Sequence, residues 1–156
     1  MVPFQTSPDS DGRATSIHLI RHCQVAARYH NCYYGQMDVP LSEAGREHSR
    51  RVAERLAGIA YDAIYSSDLQ RAVYLAESLA RPRGLPVETD AIFRERDMGV
   101  LQGMHADRLE REQAELYRPW RADRVYHRVP ESENFEDLRA RIVPARGTVL
   151  WELRRQ

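Results

Sequence analysis

The sequence predicts an α/β fold, a mostly parallel sheet with helices on both faces. Three observations predict it. Apolar strand-like runs alternate with amphipathic stretches in the order strand, helix, strand, helix, strand, helix. The strand-like runs lead into polar clusters, at Arg21-His22, at Ser66 to Arg71 and at Glu95. The 156 residues are 42% hydrophobic and 29% charged. That suits one globular domain burying roughly two-thirds of its unfolded surface.

Each element has a local reason. Thr6-Ser7-Pro8-Asp9-Ser10-Asp11-Gly12 reads as part of a disordered lead-in over residues 1–15, which leaves 16–156 as a single domain. Ile17, Leu19 and Ile20 are branched and apolar without a breaker, as a buried strand requires. A long aperiodic loop follows, over 22–41. Ser42 is a helix N-cap with Glu43 in the first turn, and Val52, Leu56 and Ile59 give 43–58 an apolar face. Ala63-Ile64-Tyr65 is a second strand, and Ser66-Ser67-Asp68 starts a helix that carries Leu69, Ala72, Val73, Ala76 and Leu79. Val87 opens a third strand, with Ile92-Phe93 closing the approach to Arg94-Glu95-Arg96. A helix near 105–116, a loop holding Pro119 and Pro130, and a last helix from Asn134 or Phe135 complete the chain; Pro144 is expected to kink or interrupt that helix.

Composition excludes several classes. The 23 basic residues, all arginine, balance 23 acidic ones. No global field attracts nucleic acid or an anionic membrane, so anion binding must be local. Cys23 and Cys32 are too few for a disulfide framework. No apolar signal core or membrane-length segment is evident, and the cytoplasm is the expected location. An oligomer is compatible with all of this.

In an open α/β sheet, ligands bind beyond the carboxyl ends of the strands. There His22, Arg21, Arg71 and Glu95 would converge. Arginine forks match phosphate oxygens, neutral imidazole is a competent nucleophile, and a protonated carboxylic acid can donate to a leaving alkoxide. This set points to phosphoryl transfer. No His/Asp/Glu cluster has convincing metal-ligand spacing, so neither metal nor cofactor is expected. His18 and His22 have a His-x3-His spacing that suits a helix face, whereas the segment reads as a strand. A cysteine phosphatase loop, His-Cys-x5-Arg, is approached by His22-Cys23 and Arg28, but only four residues intervene and no glycine builds the cradle.

From about Ile17 to Ile142 the chain resembles the histidine phosphatases, the phosphoglycerate mutase-like superfamily. The resemblance rests on Leu19-Ile20-Arg21-His22; on Gly35, Asp38, Leu41-Ser42 and Gly45; on Ile64-Tyr65-Ser66-Ser67-Asp68-Leu69-Gln70-Arg71-Ala72; on Arg94-Glu95 with Gly99 and Leu101-Gln102-Gly103; and on Phe135 to Arg141. It implies a phosphorylated nucleophile at His22, phosphate binding by Arg21 and Arg71, a general acid at Glu95, and Gly35 near the bound substrate. The implied substrates are phosphate monoesters, on small molecules or phosphoproteins, hydrolysed without a metal. Mutase-type transfer is the lesser alternative.

Three departures qualify the likeness. Cys23-Gln24 replaces the family's Gly and Glu. Arg28 stands where many members have Asn, and is a candidate third phosphate ligand. The family's second histidine, in a late strand ending His-Gly, has no counterpart; His30 alone remains as a substitute. The sequence is therefore expected to be incomplete at its C-terminal side, to lack a late central strand, and to turn over slowly. A catalytically impaired or inactive phosphate-ligand-binding protein is the rival reading.

Overall fold

Ser42 caps a helix as its sequence position predicts: its Oγ accepts the Gly45 N–H at 2.9 Å, and Glu43 favours the positive end of the dipole. The computed structural model describes residues 2–5 and 16–153. It contains strands β1 (Val2–Gln5), β2 (Ser16–Leu19), β3 (Cys32–Tyr33), β4 (Ile64–Ser66), β5 (Val87–Thr89) and β6 (Met104–His105). The α-helices are α1 (Glu43–Arg55), α2 (Gln70–Ala80), α3 (Ala106–Glu112), α4 (Ala114–Ala122) and α5 (Phe135–Leu153).

The expected mostly parallel sheet is replaced, among the described residues, by three two-stranded ladders. Only β4 and β5 pair in parallel, across the α2 crossover. The pairs β1–β2 and β3–β6 are antiparallel. The disordered lead-in is corrected for Val2–Gln5, which pair with Ser16–Leu19. That segment is too short to announce itself, and it contains Pro3, which an edge strand tolerates. Most of the lead-in, residues 6–15, lies outside the described residues. Leu19, expected inside, is 68% exposed, while Ile17 and Ile20 are half-buried.

Other boundaries differ for local reasons. α1 ends at Arg55, three residues early, where Leu56 leaves helical geometry. Ile92 and Phe93 lie in a 3-10 turn (Ala91–Phe93) capped by Asp90, and the third strand stops at Thr89. The helix expected near 105–116 breaks at Gln113, and Pro119 lies inside α4 rather than in a loop. α5 runs through Pro144 to Leu153 without interruption. No helix of the described residues is long and apolar enough to cross a membrane.

Two apolar clusters hold these pieces. Ala53, Leu56, Ile64, Leu75, Ala76, Leu79 and Ala80 pack where α1 and α2 cover the parallel pair. Leu101, Leu109, Tyr117, Trp120 and Val129 form the second, beneath α3 and α4. The aperiodic loop links them. It contains a 3-10 turn (Ala27–Tyr29), strand β3 and a Val25–Leu41 bridge, and Tyr33 packs into the second cluster.

Candidate active site

His22 lies beyond β2, in a segment pinned by α1. The Ser42 N–H donates to the Gln24 carbonyl at 3.0 Å. Gly45 permits this contact, since a Cβ there would overlap that same carbonyl. Among the described residues the half-buried imidazole makes one hydrogen bond, Nδ1 to the Cys23 carbonyl at 2.7 Å. A carbonyl only accepts, so Nδ1 carries the proton and Nε2 holds the lone pair. Burial is the main cause that lowers the His22 pKa from its ordinary value. The Cys23 bond opposes that, the guanidinium charges of Arg71 and Arg21 push further down, and Glu95 pushes up. The charges of Arg71, Arg21 and Glu95 thus reach the His22 imidazole.

Arg71 is in the first turn of α2 and only 2% exposed. Its Nη1 donates to the Met37 carbonyl and its Nη2 to the Gly35 carbonyl, each at 2.6 Å. The guanidinium carbon stands 4.9 Å from the centroid of the Tyr34 ring. Among the described residues it has no ion pair. Two carbonyls and an aromatic face hold this buried cation. Burial lowers its pKa, but a guanidinium stays charged.

Glu95 is exposed, and its Oε1 accepts the Arg96 N–H at 2.8 Å. Neither flanking guanidinium ties it down. Arg94 pairs with Asp68, whose carboxyl this hydrogen bond holds below its ordinary pKa. Arg96 is buried between the Trp120 and Phe135 rings, 5.1 and 4.3 Å from their centroids, and donates to the Arg124 carbonyl. Arg21 is exposed beside His22.

Gly35 has φ +40°, and a Cβ would meet Gln102 Oε1 at 2.8 Å and the Arg96 carbonyl at 2.9 Å. Its role here is steric and structural: it lets its own carbonyl reach Arg71. Arg28 is not drawn into the cluster. It sits on the exposed 3-10 turn with its guanidinium carbon 4.8 Å from the Tyr29 ring centroid. His30 is also exposed and bonds the Val25 carbonyl through Nε2, which engages it in holding the loop. His18 packs edge-on against Tyr61, and His48 is exposed on α1. Among the described residues, no group of three or more His, Cys, Asp or Glu could hold a metal ion.

Sequence reading missed Tyr34. Its ring meets His22 edge-on, with centroids 6.2 Å apart, and underlies Arg71. The one available signal was its position directly before Gly35.

A family model for the histidine phosphatase superfamily (branch 1) matches residues 17–155. The chain belongs to the histidine phosphatase superfamily. Among curated relatives of this chain is a probable phosphoglycerate mutase, GpmB, of Citrobacter koseri, 33% identical over 134 residues, covering 86% of this chain and 62% of the relative. The chain thus spans about three-fifths of the length of the curated relatives it matches. Solved structures similar to it include the α-ribazole phosphatase of Shigella flexneri, with TM-score 0.78 and 26% identity over 85% of this chain and 66% of that one. Another is a mycobacterial glucosyl-3-phosphoglycerate phosphatase complexed with VO3, with TM-score 0.76 and 30% identity over 84% and 62%.

Proposed function

We propose that this histidine phosphatase hydrolyses phosphate monoesters through a phosphohistidine on His22. The observation that carries the reading is the neutral imidazole, its Nδ1–H spent on the Cys23 carbonyl, beside the unpaired buried guanidinium of Arg71. Nε2 attacks phosphorus as the P–O bond to the leaving alcohol breaks. Arg71 and Arg21 bind the phosphoryl oxygens and balance their charge. Glu95 serves as general acid, giving a proton to the leaving oxygen, and then, as carboxylate, takes one from the water that cleaves the P–N bond. Phosphorylated small molecules are the favoured substrates, since the neighbours of known activity act on such esters by name.

A second reading, phosphate-ligand binding with little turnover, is favoured by one observation. Among the described residues, His30, the one substitute the sequence offered for a second histidine, bonds the Val25 carbonyl instead. One experiment separates the two. The purified chain and a His22→Ala variant are incubated with p-nitrophenyl phosphate, then assayed for phosphohistidine and for released phosphate. Sustained release that His22→Ala abolishes supports hydrolysis. Phosphate binding without a phosphohistidine supports the second reading, and release unaffected by His22→Ala refutes the mechanism.

A further inference from the structure

We propose that Asp38 is a positioning residue for the Arg71 guanidinium, an inference that rests on the reading of His22 and Arg71 as a phosphate site. The N-cap residue of α2, Leu69, offers no side-chain acceptor to the helix. The cap comes instead from 32 residues earlier in the chain: Asp38 Oδ1 accepts the Gln70 N–H at 2.7 Å. The Asp38 carbonyl also accepts Gln70 Nε2 at 2.8 Å. Gln70 immediately precedes Arg71. The loop that caps the backbone at Gln70 is therefore the loop whose Gly35 and Met37 carbonyls grip the guanidinium one residue further on.

The two grips complement each other. The carbonyls fix the far end of the Arg71 side chain, and Asp38 fixes the near end by holding the first helical turn in place. First-turn N–H groups have no partner within the helix, so a turn that loses its side-chain cap frays readily. Asp38 makes no ion pair among the described residues, while Arg94, the nearby cation on which its charge also acts, is committed to Asp68. The carboxylate's bonded partner is the Gln70 amide. Its negative charge also favours the charged forms of Arg71 and Arg94. Removing Oδ1 should let the first turn and Arg71 move together, and weaken phosphate binding without touching the His22 tautomer.

The test uses the whole chain and orthovanadate, which mimics a phosphoryl group in transfer. Vanadate affinity and melting temperature are measured for wild type, Asp38→Ala, Asp38→Asn and Asp123→Ala. Asp123 is a matched control, because its Oδ1 caps the Val125 and Tyr126 amides away from Arg71. Asp38→Ala should bind vanadate about tenfold more weakly, the equivalent of one strong hydrogen bond. Asp38→Asn keeps an oxygen acceptor and should recover most of the loss. Asp123→Ala should lower the melting temperature while leaving affinity unchanged. Asp38→Ala binding within about twofold of wild type overturns the proposal. So does an Asp38→Asn affinity as poor as that of Asp38→Ala, because charge rather than capping would then be responsible. Wild type that fails to bind vanadate would refute the phosphate-site reading itself, and the positioning role with it.

Discussion

Gly35→Ala is the most informative perturbation of this site, because it adds one methyl group at the residue whose carbonyl holds Arg71. The residue sits at φ +40°, where alanine is disfavoured by roughly 1 kcal/mol relative to glycine. Its new Cβ would lie 2.8 Å from Met98 Cγ, 2.8 Å from Gln102 Oε1 and 2.9 Å from the Arg96 carbonyl. Met98 is flexible and yields. Gln102 cannot yield freely, since its Oε1 accepts the Gln36 N–H at 2.7 Å, and leaving such a donor unpaired costs about 1–3 kcal/mol. The Arg96 carbonyl is backbone and moves only with its segment. Together these predict a loss of roughly 3–5 kcal/mol, a large share of the stability of a typical domain. Any relief moves the Gly35 carbonyl away from Arg71 Nη2, so anion affinity should fall as well. Urea unfolding at constant m-value gives the first quantity and vanadate titration the second. A destabilisation below about 1 kcal/mol with unchanged affinity would refute the steric account.

The remaining predictions address charge and protonation. Arg71→Lys keeps the charge but cannot reach both the Gly35 and Met37 carbonyls while presenting a fork, so vanadate binding should weaken by about tenfold to a hundredfold. His22 should titrate below its usual 6.5, a shift visible by NMR that His22→Gln removes. The sign follows from burial. The unfolded chain takes up that proton first, so stability is full above 6.5 and declines as pH falls towards the lowered pKa, and phosphoenzyme formation declines through that lower value. Tyr117 is pushed up to about 12, by burial first and then by its 2.8 Å bond with Tyr33. Its contribution to stability is present below the usual 10.0 and lost as pH rises from there, which tyrosinate absorbance during alkaline unfolding would follow. Tyr34→Leu should raise KM for phosphate esters by removing the ring beneath Arg71, with the His22 tautomer unchanged in NMR spectra.

The sequence by itself determined the chemistry on offer and most helices. Arg21 and His22 stood out as a cation and an imidazole at the end of an apolar run, Arg71 and Glu95 through their expected place on the same rim and the family resemblance, and the Ser42 cap and the apolar faces of α1 and α2 obey local rules that need no partner. Strand pairing was not legible, because two- to four-residue strands carry little periodicity and their partners are chosen by packing: β1 was dismissed as lead-in, and the expected mostly parallel sheet became separate ladders. Tertiary structure alone decided what each arginine meets. Arg28, Arg71, Arg94 and Arg96 are the same residue type in sequence. Contact with Asp68 takes Arg94, the Trp120 and Phe135 rings enclose Arg96, and Arg28 turns to Tyr29, whereas Arg71 meets two carbonyls and an aromatic face and, among the described residues, no ion pair. It also decided the state of His22, since which nitrogen keeps the proton depends on the one carbonyl that folding places beside Nδ1.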